Sequence, residues 1–352
     1  MSELGREIEA IVASEGPIGI DRYMALALGH PRLGYYMTRD PLGRAGDFTT
    51  APEISQMFGE LLGLWAAAVW MKMGRPDPVI LAELGPGRAT LMADALRAAR
   101  SVPGFLVACR IHLVETSQAL RGVQRATLAA HEVAWHERIR DIPEGPLLLL
   151  ANEFLDALPI RQFVRGETAW HERVVGLSEA GLAFGLAPHP EPALDPARGE
   201  PGQVLEACAS AIAVVSELAA RLAVSGGAAL FVDYGAGGDA FGDTLQAVRR
   251  HAFADPLADP GGTDLTAHVR FAPLAGIAKR QGAAVHGPVA QGVFLAALGI
   301  EERAAALSKG RDDELRATIA TARRRLCDPA EMGETFKAFA IADPTLGDLP
   351  GF

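Results

Sequence analysis

Residues 78–99, PVILAELGPGRATLMADALRAA, run from an apolar stretch through a glycine turn directly into a helix. Few folds accept that order. A short apolar run of this kind suits a strand covered on both faces, and a helix starting at once beyond the turn carries the chain back across a sheet. The pattern then repeats. CRIHLVE reads as a second strand, TSQALRGVQRATLA as a second helix, EVAWHE as a third strand and PLLLLANEF as a fourth. Such alternation predicts an α/β protein with a parallel sheet and crossover helices. GAALFVDYG (227–235) supplies a fifth strand, and AAVHGPVAQG and ETFKAFAIAD two more, around helices in 291–325. The expected sheet has seven strands, the last entering antiparallel at the edge.

The flanking segments differ in character. Residues 1–75 read as a helical N-terminal region, with apolar positions at helical spacing interrupted by HPRLGYYMTRDPLGRAGDFTTAPE. A long ordered stretch of this kind is often a functional loop, here a lid over the neighbouring site. Residues 156–203 hold IRQFVRG, TAWHERVVG and GLAFGLA between glycine turns, which predict a small antiparallel β insertion with Trp170 exposed as a docking surface. The core is then 76–155 together with 204–352, where Val204, Leu205, Cys208, Ile212, Val215 and Leu222 line one face of a helix.

Composition excludes several classes. With 33 Lys+Arg against 43 Asp+Glu the formal charge is −10, which argues against a nucleic-acid partner. Leu61–Met71 is too short for a membrane span of about 20 residues. The opening MSELGREIEAIVASEG has neither the basic start and apolar centre of a secretory signal nor an Arg-rich transit character, so the expected location is cytoplasmic. Three scattered cysteines and the lack of HExxH or Cys-x-x-Cys give no disulfide framework and no metal site.

The chemistry concentrates at strand ends. In Glu83-Leu84-Gly85-Pro86-Gly87-Arg88-Ala89, the glycines let the backbone approach a ligand without a Cβ in the way. Glu115 ends the second strand, where an acid can take both hydroxyls of a ribose. A dinucleotide fingerprint would want a third glycine where Thr90 stands. Glu83 inside the strand end can instead meet the ammonium of an amino-acid moiety, which tilts the reading from a nucleotide-dependent oxidoreductase to S-adenosylmethionine. Asn152 and Glu153 after five apolar residues make sense as site residues. Asp156 is either a site acid or a helix cap, and Asp233 either a site acid or a turn acid.

The stretches GDFTTAPEISQMFGELLGLW (46–65), ELGPGRATLM (83–92), HLVETSQALRGVQ (112–124), ANEFLDALPIRQF (151–163), VDYGAGGDAFGDTLQAV (232–248), DPGGTDLTAHVRF (259–271) and TFKAFAIA (335–342) resemble the MidA family of S-adenosylmethionine-dependent methyltransferases. The resemblance spans the whole chain. It implies a class I methyltransferase (Rossmann-like) fold. A mitochondrial member of that family forms symmetric dimethylarginine on a respiratory complex I subunit and acts in its assembly. By resemblance, Gly85 and Gly87 lie at the methionine part of the cofactor, Glu115 at its ribose, and Asp141 and Ile142 by the adenine. Ala89 replaces the family's usual third glycine, a change that a negative φ there would make harmless. On this reading Glu153, with Asp156 second, is the carboxylate that holds an arginine. Asp47, Thr49, Thr50, Pro52 and Glu53 belong to the lid. The partner is a protein substrate, a complex I subunit by resemblance, and a homodimer is one assembly compatible with it. A reading from another class is a cofactor-binding assembly factor whose contacts, and not its chemistry, matter.

Overall fold

A computed structural model describes residues 2–38, 50–238, 241–249 and 252–352. The chain forms two compact units. The larger comprises Thr49–Phe154, Val214–Gly237 and Val269–Phe352, and the smaller Met1–Phe48, Leu155–Ala213 and Gly238–His268.

The larger unit is built on strands β1 (Val79–Leu84), β2 (Cys109–Val114), β3 (Val133–His136), β4 (Leu147–Asn152), β5 (Gly227–Ala236), β6 (Ala284–Ala290) and β7 (Phe336–Ala342). Their order across the sheet is β6-β7-β5-β4-β1-β2-β3. β5, β4, β1, β2 and β3 run parallel, and β7 is antiparallel to both β5 and β6. The final strand is therefore antiparallel as expected but lies inside the sheet, not at its edge. Its AFAIA run is buried throughout, and a strand covered on both faces belongs between neighbours. An eighth strand, the two-residue Val269–Arg270, pairs with the end of β5 and was not foreseen. From β1 the chain steps outward to β2 and β3, then returns to β4 on the other side of β1. The order reverses there, so a crevice outside the carboxyl ends of β1 and β4 is where such a sheet takes its ligand.

Helix α1 (Gln56–Lys72) belongs with this sheet, contrary to the expected boundary at residue 75. Gly59 and Gly63, one turn apart, share a face of α1. A Cβ at Gly63 would stand 2.5 Å from the Ala95 backbone, and one at Gly59 2.7 Å from the Asp94 Cβ. Those two absent side chains let α1 close on α2 (Thr90–Ala99). Glu60, buried on α1, is bound by Arg97 and Arg303 at 3.1 and 2.6 Å.

In the smaller unit, helices Glu3–Glu15 and Ile20–Gly29 accompany a five-stranded sheet. The three foreseen strands are Arg161–Arg165, Trp170–Ser178 and Gly181–Pro190. The sheet is completed by Ile18–Gly19 and Val204–Ala207, the latter pairing with Arg161–Val164. Val204 and Leu205 are thus strand residues, not the start of a helix; the helix begins at Ala209. Residues 238–268, expected in the core, contribute a separate three-stranded sheet to this unit. Trp170 is only 1% exposed, packed with Phe163, Leu205 and Phe241, and its indole N–H donates to the Asp195 carbonyl. It is a core residue, and the docking surface expected of it is withdrawn.

Candidate active site

The turn after β1 is built from alternating left-handed residues: Gly85, Gly87 and Ala89 have φ of +57°, +52° and +62°. The Gly85 N–H donates to the Val114 carbonyl at 3.1 Å, which ties the turn to the end of β2. A Cβ at Gly85 would meet the Phe154 ring at 3.0 Å. The condition that would have made Ala89 harmless is not met, because its positive φ is the region where a methyl side chain crowds the following carbonyl.

Ala89 offers no side-chain cap to α2. The Met92 N–H in the first turn of that helix acts on the Glu83 carboxyl and favours its charged form. Burial pushes the Glu83 pKa well above the usual carboxylate range, with the Met92 bond acting against it. Glu83 Oε2 is buried without a hydrogen-bond partner among the described residues, and so is Asn152 Oδ1. These two atoms are related by register. Glu83 pairs with Leu150 across β1 and β4, and Asn152 stands two residues beyond Leu150, so both side chains leave the same face. Two orphan acceptors at adjacent strand ends call for a ligand that brings donors, since leaving them unmade is costly. An α-ammonium group meets that need, whereas a pyrophosphate brings only acceptors. The donor set therefore fits an amino-acid nucleoside.

Glu115, just past β2, is 8% exposed. Its Oε1 accepts the Ser117 N–H at 2.8 Å and its Oε2 the Gln124 amide at 3.1 Å. Burial raises its pKa, against hydrogen bonds from Ser117, Gln124 and Thr116. Gln124, on α3 (Gln118–Thr127), also donates to the Gly87 carbonyl at 2.8 Å and accepts the Trp135 indole N–H at 2.9 Å. It closes the stretch HLVETSQALRGVQ, but nothing singled it out there, because a glutamine on an amphipathic helix carries no spacing signal of its own.

At the end of β4, Glu153 adopts φ +48°, an uncommon conformation for a residue with a side chain. Its N–H donates to the Val232 carbonyl, and Oε1 accepts the Ala51 N–H at 3.2 Å and the Asn152 amide at 3.0 Å. Asp233 on β5 accepts the N–H groups of Phe154 and Tyr234 at 3.1 and 2.9 Å, so it holds the turn that places Glu153. The segment ahead of α1 joins here. Thr50 stands at the N-cap position of the short helix Ala51–Ile54 without a side-chain capping bond, and Pro52 lies in the first turn. Glu53 accepts the Thr90 hydroxyl at 2.5 Å and lies 3.8 Å from Arg88.

The larger unit therefore brings together Glu83, Gly85, Gly87, Glu115, Asn152, Glu153, Thr50, Pro52 and Glu53. Asp47 and Thr49 lie outside the described residues. Asp141 and Ile142 follow β3 in a single 3₁₀ turn; Asp141 is exposed, and Ile142 is buried with its carbonyl accepting Arg221 at 3.2 Å. Asp156 belongs to the smaller unit, where it is buried and its charge raises the pKa of Tyr36. Its carbonyl accepts the Ala267 N–H. It caps no helix.

A sheet of this order, with an acid-led glycine turn at its switch point, defines a class I methyltransferase using S-adenosyl-L-methionine. A family model described as "Putative S-adenosyl-L-methionine-dependent methyltransferase" matches residues 61–289, and the chain belongs to that family. It is 37% identical to the protein arginine methyltransferase NDUFAF7, mitochondrial, of Danio rerio, covering 96% of this chain and 86% of that one. It is 38% identical to the Drosophila melanogaster homolog, covering 96% and 84%. Among solved structures it is similar to a superfamily member from Burkholderia thailandensis bound to S-adenosyl-homocysteine, with a TM-score of 0.86 and 30% identity over 99% of this chain and 93% of that one. The Danio rerio and Drosophila melanogaster relatives correct one expectation: they are named as mitochondrial proteins, which overturns the cytoplasmic location drawn from the first residues. Membership of a methyltransferase family also displaces the oxidoreductase reading.

Proposed function

We propose that this enzyme methylates an arginine of a protein, to the symmetric dimethylated product, and that its substrate is a respiratory complex I subunit whose assembly it serves. The relatives' printed names support arginine as acceptor, and the family resemblance supports the product and the partner. The observation that carries the site is the pair of orphan acceptors, Glu83 Oε2 and Asn152 Oδ1, on one face beside a left-handed glycine turn.

In this reading Glu83 and Asn152 hold the ammonium of the cofactor, Gly85 and Gly87 admit its methionine part, Glu115 takes its ribose, and Asp141 and Ile142 border its adenine. S-adenosylmethionine supplies the methyl group on a sulfonium. The protein's own contribution is alignment and exclusion of water, worth several kcal/mol when reacting atoms are held in line. An arginine stays protonated, with a pKa above about 12, so a carboxylate must grip its fork of donors and draw charge from the attacking nitrogen. Glu153 is assigned that role here, a reading supported by its left-handed backbone and by the Asp233-held turn behind it.

The test is incubation with labelled cofactor in an extract of cells lacking this protein, followed by mass spectrometry of the labelled band. A symmetric dimethylarginine on a complex I subunit is the expected product; label on another residue type sinks the proposal. Gly85→Val, which blocks the turn, separates catalysis from scaffolding. Complex assembly that survives this change would favour a non-catalytic assembly factor.

A further inference from the structure

Gln124 is fully buried, and its amide is committed to three partners on three elements. Its orientation admits no alternative. The Trp135 indole can only donate and the Gly87 carbonyl can only accept, so Oε1 must face Trp135 and Nε2 must face Gly87. The second amide hydrogen is then directed at Glu115 Oε2, 3.1 Å away. Glu115 is held from its other side by the Ser117 N–H, and its carbonyl by Arg121 at 2.8 Å. One side chain thus spans the glycine turn after β1, the acid after β2 and the penultimate residue of β3.

We propose that Gln124 is a positioning residue for the cofactor's sugar: it fixes the Glu115 carboxylate in the rotamer that accepts the ribose hydroxyls and locks that carboxylate in register with the glycine turn. A buried carboxylate with one oxygen released would swing toward any donor it could find, and a vicinal diol is gripped only by two oxygens in fixed places. The inference rests on the reading of Glu115 as the ribose ligand. It predicts that the amide of Gln124, though it touches no ligand, decides how strongly the enzyme distinguishes a cofactor with ribose hydroxyls from one without.

The experiment measures, by calorimetry on the full chain, the affinity for S-adenosylhomocysteine and for its 2′,3′-dideoxy analogue. The wild type is expected to prefer the diol by at least about tenfold, the scale of one or two lost hydrogen bonds. Glu115→Gln and Gln124→Met should each reduce that preference to below about threefold. Because Gln124 acts through Glu115, the double variant should be no less discriminating than Glu115→Gln alone. Gln124→Leu, similar in size and likewise without a donor, gives the same readout should the Met variant not fold. If Gln124→Met or Gln124→Leu binds weakly but keeps the wild-type preference, Gln124 is a structural tie only and the inference fails. If Glu115→Gln itself keeps that preference, the ribose reading has failed and takes the inference with it.

Discussion

The backbone N–H of Ala51 donates to Oε1 of Glu153 at 3.2 Å, so the chain entering α1 is pinned to the carboxylate at the end of β4. Glu153 carries this contact while strained, at φ +48°. Strain kept at the end of a sheet strand is a reason to look for chemistry. Glu153→Gln is expected to leave S-adenosylhomocysteine affinity within about threefold and to lower turnover at least about a hundredfold, the loss typical of a missing proton-handling or clamping group. Single-turnover rates with saturating cofactor would check it, and a variant that methylates normally removes Glu153 from the reaction.

Ala89 is buried with φ +62° where glycine would be unstrained. Ala89→Gly should therefore stabilise the protein by about 1 kcal/mol, the scale of a left-handed alanine relieved. Thermal unfolding of the two proteins decides the matter; a lower midpoint for the glycine variant would show that the methyl's packing outweighs the backbone.

Glu83 should trade stability for binding. A carboxyl whose folded pKa is raised contributes stability that is complete below its unfolded pKa and lost as pH rises through the folded value. Burial raises that of Glu83, so the ligand-free wild type should weaken from the ordinary carboxylate range upward. Glu83→Gln escapes this loss. Its ligand-free midpoint should exceed wild type at pH 8 and match it near pH 4, while the upward shift given by S-adenosylhomocysteine shrinks. Equal ligand shifts in the two proteins would detach Glu83 from the cofactor.

On the acid side the sensitive pair is His112 and His136, whose Nδ1 and Nε2 lie 2.8 Å apart across β2 and β3. Burial, then the charges of His136 and Arg221, push the His112 pKa down from 6.5 to about 4. A histidine with a depressed folded pKa contributes stability present above its unfolded value and lost as pH falls through the folded one. Stability should therefore decline between pH 6.5 and about 4, by on the order of 3 kcal/mol for a shift of this size. Denaturant titrations across that window should show a shallower decline for His112→Gln; an unchanged slope would place the acid sensitivity elsewhere.

Much of the larger unit is legible in the sequence, because strands buried on both faces advertise themselves as unbroken apolar runs such as LLLLA at 147–151. Glu83, Glu115 and Glu153 stand out for the opposite reason, as charges abutting such runs. The smaller unit is harder to read, since its short strands depend on distant partners. Ile18–Gly19 pairs with Val174–Val175, and no local pattern announces that. Val204 and Leu205 fit a helical face by spacing, yet pairing with Arg161–Val164 overrides it. Gln124 escaped because its importance lies in three bonds made after folding, and Ala89 was misjudged because a residue's φ is not written in its identity.

The placement of β7 between β5 and β6 has a consequence for how the protein is made. Until residues 336–342 arrive, β5 presents a bare row of amide and carbonyl groups, and β6, which pairs with β7 alone among the described strands, has no neighbour. Such rows invite pairing with any passing chain. The nascent protein is thus exposed to mispairing until that segment is made, and whatever guards it in the cell must cover the open edge of β5 and the lone strand β6.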